Sequence, residues 1–391
     1  MTNDTNSSFT IGIVVPYLKS RGTEKQALAL AKGFIDKKAK VILFVVQSWG
    51  LEHMYDAFSK AGVEVVNVGL AIDINQKKVD KKRVFKLASL ARHCQCNILL
   101  SRAGMTNQLC GRAAVLARIP SVVVASSAVS SSRVVSSNSA KELLATLKRQ
   151  SEFGFPSRVV TVSTEGSKKL TLDYPKLANR VYPINNGVDI EAVRLLSEQE
   201  TSISLPEDKF NLCYVGSVEL QRKGLDTLIG ALDLLINEYG QEDILLNIVG
   251  TGEDQKKVSE LVQDCRLDSY VTFIGEVENP FPITKQADVF ILPSRREGLP
   301  NALLEAMSLG VCAISTDCNT GPREIIQDEV NGLLVSVDDS EGMAKAVLQV
   351  KEDSGFRNRL ARSGRQTIEE SFSYQGMIDA YYSLLSSLSS K

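Results

Sequence analysis

Residues 288–317, DVFILPSRREGLPNALLEAMSLGVCAISTD, hold the pattern on which the fold turns. DVFILPS (288–294) is β-branched and aromatic and reads as a strand; VCAISTD (311–317) reads as a second. Between them lies a loop with Gly298, and a helix starts near Pro300, a residue suited to the first helical turn. Strand, helix and strand in so short a span make a parallel crossover unit. The loop places Glu297 above the carboxyl edge of the sheet. Glu305, eight positions on, falls inside the helix. Two acids on a solvated face are the plain alternative, but ALLEAM surrounds Glu305 with apolar residues, a poor setting for an idle charge.

The same rhythm runs through the chain. In the first half the strand candidates are 10–17, 39–46, 63–69, 96–102, 121–127, 158–164 and 180–186. Ala27, Leu30, Ala31 and Phe34 fall on one helical face, as do Val84, Leu87, Ala88 and Ala91. A polar stretch at 191–209 reads as a hinge, after which strands recur at 210–217, 243–250, 271–277, 288–294 and 311–317. The expected architecture is α/β, with two Rossmann-like doubly wound parallel-sheet domains, 1–195 and 196–371, facing a cleft at the carboxyl ends of their strands.

Composition sets the outer limits. The chain has 391 residues, 43% apolar and 23% charged, and its longest apolar run, VILFVV (41–46), is far shorter than the roughly 18 residues of a membrane span. The N-terminus lacks the layout of a signal peptide. Seven cysteines with no CxxC pair point to reduced thiols and a cytoplasmic setting. With two histidines and no Asp-x-Asp, no metal is expected. The net charge of −1 hides an asymmetry: residues 1–195 carry 28 Lys+Arg against 14 Asp+Glu, the remainder 17 against 32. Either the halves attract one another or the basic half faces an anion.

Two junctions of the second half carry anion-binding features. VGSVELQRKGLD (215–226) ends a strand and opens a helix at about Leu225, where unpaired N–H groups and the dipole favour negative charge. Arg222 and Lys223 add full charges there, although two surface cations are the plain alternative. VGTGED (249–254) is a Gly-x-Gly without its third glycine, a weak signal.

Taken together, residues 293–335 closely resemble the signature of retaining glycosyltransferases of the GT-B fold, in the large family numbered four, whose Glu-x7-Glu pattern is met by Glu297 and Glu305. The resemblance extends through VGSVELQRKGLDTLIGAL, IVGTGED, VTFIGEV, INNGVD (184–189) and FSYQGMIDAYYSLL (372–385), and covers essentially the whole chain. It implies that Glu297 contacts the donor sugar and that backbone N–H groups of Gly298, Leu299, Pro300 and Asn301 (for proline, its neighbours') surround the diphosphate. Glu305 would hold the nucleotide ribose, Lys223 with Arg222 the diphosphate, and the backbone from Gly275 to Val277 the base. Arg21 and Gly22 match the family's loop after the first strand, near donor and acceptor, with Arg21 replacing a common glycine. Residues 372–391 would form a helix crossing back to the N-terminal, acceptor-binding domain. Two departures stand out: Ser217 replaces a usual arginine, and a usual histidine is absent near Ala125 and Ser126. Arg222, Arg296 and Arg102 are the candidates to compensate for them.

The resemblance thus implies a metal-independent transfer of a hexosyl or N-acetylhexosaminyl group from a UDP- or GDP-linked sugar to a glycan or lipid-linked acceptor in cell-surface polysaccharide synthesis, with no cofactor. A degenerate sugar-nucleotide-binding subunit is the alternative. A nicotinamide-dependent oxidoreductase fails, because VPYLKSRGTEK lacks its glycine fingerprint. Between 77 and 92, Lys77, Lys78, Lys81, Lys82, Arg83, Lys86 and Arg92 stand against one acid, Asp80. A helix with one basic face suits attachment to an anionic membrane surface, and the resemblance implies the inner face of the membrane. Nucleic acid is not an expected partner, since no groove-reading motif accompanies the charge.

Overall fold

The computed structural model describes residues 9–18, 22–47, 52–69, 81–102, 104–125 and 153–389. The chain forms two compact units, Met1–Asn185 with Met377–Lys391, and Asn186–Gly376. The first contains β1 (Thr10–Val15), α1 (Gly22–Asp36), β2 (Lys40–Val45), α2 (Glu52–Lys60), β3 (Glu64–Asn67), α3 (Lys81–His93), β4 (Ile98–Ser101), α4 (Gly104–Ala117), β5 (Ser121–Ala125), β6 (Arg158–Thr161), α5 (Thr164–Asp173) and β7 (Val181–Pro183). Its sheet runs β3-β2-β1-β4-β5-β6-β7, and each neighbouring pair is parallel. β1 is buried along its whole length, the mark of a strand covered on both faces. Ala27, Leu30, Ala31 and Phe34 give α1 the apolar face its sequence predicts, fully removed from water.

The second unit contains α6 (Ile190–Ser197), β8 (Phe210–Val215), α7 (Leu220–Lys223), α8 (Leu225–Asp233), β9 (Ile244–Val249), α9 (Gln255–Asp264), β10 (Val271–Gly275), α10 (Phe281–Gln286), β11 (Val289–Leu292), α11 (Asn301–Ser308), β12 (Cys312–Thr316), α12 (Pro322–Ile325), β13 (Leu333–Val335), α13 (Ser340–Glu352) and α14 (Ser354–Ser371). The parallel order β10-β9-β8-β11-β12-β13 reverses direction between β8 and β11, the switch point at which ligands bind in sheets of this kind. The core joins Tyr214, Leu225, Ile229 and Leu232 to Ile291, Ile314 and Val347.

Several details differ from expectation. The unit changes at Asn185/Asn186, not at 195/196, because α6 packs on α10 and α11, and Asn279 Nδ2 donates to Leu196 O at 2.8 Å. The supposed hinge at 191–209 therefore begins inside the second unit. The strand expected at 180–186 is only Val181–Pro183, and the sixth strand of the second sheet, Leu333–Val335, is too short for alternation to reveal. The seven cysteines are all unpaired. No described helix is long and apolar enough to cross a membrane.

The chain returns to the first unit in its last helix, α15 (Tyr374–Ser389). Tyr381 is buried there with the Arg102 guanidinium 5.9 Å from its ring, and Arg102 Nη1 donates to its hydroxyl at 3.2 Å. Lys37 pairs with Asp379 at 2.5 Å. Just before the return, INNGVD meets FSYQ: Val188 N donates to Phe372 O at 2.8 Å and Tyr374 N to Val188 O at 3.0 Å. A Cβ on Gly187 would lie 2.4 Å from Ser373 O, so only glycine admits this contact. Gly187→Ala should destabilise the protein by about 2 kcal/mol, read from urea unfolding, because backbone rather than a flexible side chain must yield.

Candidate active site

Two loops meet at the carboxyl ends of β8 and β11. The first contains Ser217, the short turn α7 and Gly224; the second runs from Pro293 to Pro300. Gly224 adopts φ +64°, and a Cβ there would sit 2.2 Å from Pro293 O. The loops therefore touch along their backbones, with Arg295 N donating to Arg222 O at 2.9 Å. The Arg295 guanidinium fastens the second loop to Asp226 at 2.6 Å, and that hydrogen bond is the main reason its pKa is raised.

This contact brings together two residues singled out in the sequence. Lys223 Nζ lies 2.6 Å from Glu297 Oε1, with side chains only 12% and 9% exposed. Buried Ser294 donates its hydroxyl to the same oxygen at 2.7 Å. Thr320 Oγ1 donates to the Glu297 carbonyl, and Gly321, at φ +89°, leaves room for the Gly298 carbonyl. Burial, and then the Glu297 charge, pushes the Cys318 thiol up to about 12.

Arg222 and Lys223 lie in α7 rather than in an extended loop before the helix. Arg222 Nη2 donates to Ser217 Oγ at 3.0 Å and to Glu219 Oε1 at 2.9 Å. Burial works against its charge, but Glu219 and Glu297 outweigh it, and the guanidinium pKa is raised. The Arg222 hydrogen bond in turn holds the Glu219 carboxyl below its ordinary range. A guanidinium thus stands against Ser217, the position where the resemblance implies an arginine. Arg102 is engaged with Tyr381 in the first unit, and Arg296 is exposed.

Helix α11 begins at Asn301 and takes Pro300 as its cap, so the interval from Glu297 to Glu305 is half loop. Neither α8 nor α11 has a side-chain hydrogen bond capping its N-terminus. Gly298, Leu299 and Pro300 are buried, and Asn301 Oδ1 accepts from Asn186 Nδ2 at 2.9 Å. Glu305 is half-buried on α11. Gly275, at φ +84°, has open space where a Cβ would stand, and Val277 packs beside Leu205 and Ile283. Gly22 opens α1, whereas Arg21 lies outside the described residues.

Sequence reasoning missed the purpose of VGTGED. A Cβ on Gly250 would meet Gly216 O at 2.0 Å and one on Gly252 would meet Val218 O at 2.2 Å, so both glycines serve loop packing. Asp254 Oδ2 accepts from Leu220 N at 2.9 Å and so supports α7. Among the described residues no three His, Cys, Asp or Glu side chains converge as a metal site.

Residues 197–367 match the family model described as Glycosyl transferases group 1. The lipopolysaccharide core biosynthesis glycosyltransferase LpsE of Rhizobium meliloti is 31% identical over 220 residues, 54% of this chain and 62% of that protein. A Campylobacter jejuni protein, GalNAc-alpha-(1->4)-GalNAc-alpha-(1->3)-diNAcBac-PP-undecaprenol alpha-1,4-N-acetyl-D-galactosaminyltransferase, is 34% identical over 130 residues, 33% of this chain and 36% of its own. The chain spans about half the length of the curated relatives it matches. Among solved structures, Anabaena HepE in complex with UDP and glucose superposes with a TM-score of 0.79 at 17% identity, covering 97% of this chain and 100% of HepE. That likeness assigns the fold: two Rossmann-like parallel-sheet domains of the GT-B class.

Breaking a buried pair on one side costs about 3–5 kcal/mol, whereas removing both charges costs far less. Lys223→Met and Glu297→Gln should each destabilise the second unit, and the double variant should be no worse than the poorer single. Strictly additive unfolding free energies would show that the two groups are not coupled.

Proposed function

We propose that the protein is a retaining, metal-independent glycosyltransferase that moves a hexosyl or N-acetylhexosaminyl group from a nucleoside-diphosphate sugar to a hydroxyl of a glycan or lipid-linked acceptor. The observation that carries this reading is the Lys223–Glu297 pair at the switch point of the second sheet, beside α8 and α11, two helices whose N-termini have no side-chain cap. A diphosphate entering there would draw Lys223 from Glu297, gaining a cation and helix N–H groups at once. Glu297 would then be released to accept hydrogen bonds from sugar hydroxyls. Arg222, steadied by Glu219 and Ser217, would lend a second positive charge. Glu305 would hold the ribose, and the Gly275–Val277 backbone the base.

Catalysis in this scheme is positioning and stabilisation of the leaving diphosphate. The bond from the anomeric carbon to the phosphate oxygen breaks as the acceptor oxygen bonds to that carbon on the same face. The acceptor's proton passes to the departing phosphate oxygen. UDP is the first nucleotide to test, because HepE is similar in fold and its complex holds UDP and glucose. A lipid-linked acceptor in polysaccharide synthesis is favoured by the similarity to LpsE and to the Campylobacter transferase acting on an undecaprenol-linked substrate. The Arg222–Ser217 contact weighs against the degenerate, binding-only alternative, since it restores a cation beside Lys223.

A panel of sugar nucleotides scored by thermal shift and hydrolysis identifies the donor. With that donor, Lys223→Ala should lower kcat by about 10²–10³. Glu305→Gln should raise the donor KM by tenfold or more, since a charge-assisted hydrogen bond is worth about 1.5–3 kcal/mol. Wild-type kinetics in both variants would remove this site from the reaction.

Turnover should persist in EDTA, and NMR of the product should find the donor's anomeric configuration kept. Loss of activity in EDTA restored by Mg²⁺ or Mn²⁺, or an inverted product, would each contradict the proposal.

A further inference from the structure

Helices α3 and α4 pack side by side on the first sheet. Val84, Leu87, Ala88 and Ala91 of α3 and Leu109, Ala113 and Ala114 of α4 face the core, as the sequence predicts. Arg83, assigned in the sequence to the basic face, is buried instead. The outer faces carry what the core does not take. Phe85 is 63% exposed, Val115 56%, Leu116 39% and Phe155 47%. With Val84 and the stems of Lys81 and Arg112 they line a groove of about 350 Å³. Four of the eight exposed large hydrophobic residues among those described are gathered here, while Leu172, Tyr182, Leu195 and Val330 belong to separate elements. Scattered apolar residues are ordinary on a surface; a cluster of them marks an interaction site.

The charges around the groove identify the partner. Lys81 and Arg112 line it, the Arg112 guanidinium lying 5.4 Å from the Phe155 ring, and Arg92 Nη1 donates to Leu116 O at 3.1 Å. Lys82, Lys86 and Arg118 are exposed elsewhere on these helices or at their ends. Segments 81–93 and 104–118 contain no Asp or Glu. Lys77, Lys78 and Asp80, which the sequence adds to this face, lie outside the described residues. An apolar groove lined by two cations, on two helices that carry no acid, is complementary to a layer that is anionic at its surface and apolar beneath it. We propose that this groove docks the protein on an anionic lipid bilayer, with Phe85, Val115, Leu116 and Phe155 entering the boundary between headgroups and acyl chains, and Lys81, Lys82 and Arg112 at the level of the phosphates. Nucleic acid would match the cations but gives aliphatic Val115 and Leu116 nothing to bury against. The proposal is independent of the donor-site reading.

The test is co-sedimentation of the full chain with vesicles of phosphatidylcholine alone or with about a third phosphatidylglycerol, across a salt series. Wild type should bind the anionic vesicles only, and more weakly as salt rises. Lys81→Glu/Lys82→Glu should weaken partitioning at least twenty-fivefold, about fivefold for each cation lost. Phe85→Ser/Phe155→Ser should weaken it tenfold or more, with unaltered melting temperature. In a Trp49→Phe background, Phe85→Trp should shift its emission to the blue on adding anionic vesicles, a readout that does not depend on the other variants folding. Salt-independent binding to both vesicle types, unchanged binding in both double variants, or no emission shift would overturn the proposal. So would a wild-type dimer that Phe85→Ser/Phe155→Ser dissolves, which would give the groove to a second copy of the chain.

Discussion

An ammonium and a carboxylate held out of water attract strongly, but removing each from solvent costs several kcal/mol, and the balance is favourable only when both ends are well satisfied. The Lys223–Glu297 pair meets that condition through its surroundings. Ser294 donates to the same carboxylate oxygen, and Thr320 fixes the backbone carbonyl of Glu297. Gly224 lets the lysine's loop lie directly against Pro293. Nothing local in the chain makes this pair, because its members are 74 residues apart. They meet because the strand order reverses between β8 and β11, and the unit's site-forming loops are arranged around that reversal.

The pairing also changes how the charge asymmetry of the chain should be understood. The half that resembles a nucleotide-sugar-binding domain is the acidic one, which looks ill suited to a polyanion. Within its site, however, Lys223 is matched by Glu297 and Arg222 by Glu219. In the function proposed above, a diphosphate would bind there by exchanging one anionic partner for another, so the net charge of the unit matters less than the pairing of these two cations. Among the described residues of the other half, exposed cations stand on α3 and at the end of α4.

Much of the architecture could be read from the sequence because buried parallel strands are continuous apolar runs and the covering helices repeat every three or four residues. The α1 face of Ala27, Leu30, Ala31 and Phe34 is an instance. Glu297 and Lys223 were legible only through family resemblance; spacing alone left a solvated acid pair open. What stayed hidden depends on contacts distant in sequence. Gly250 and Gly252 look like part of a phosphate loop until Gly216 and Val218 are seen pressed against them. Arg83, expected on the basic face, is buried, because a helix packed against both a sheet and another helix does not follow a two-sided pattern. β13 is three residues long and carries no periodicity at all.

The return of the last helix has a consequence for how the protein is made. The second unit is a continuous stretch, Asn186–Gly376, and every part of it has left the ribosome before residue 377. The first unit begins earlier but is completed later: Ile378, Tyr381 and Leu385 are buried, and Ile378 lies against Gly33 of α1. During synthesis the N-terminal sheet therefore waits, with the slot for α15 uncovered, while the C-terminal sheet has all it needs to close. The usual order, in which the N-terminal domain folds first, is reversed here for the final step. A nascent chain that stops short of α15 would carry one finished domain and one with an open apolar seam, the kind of intermediate that chaperones hold.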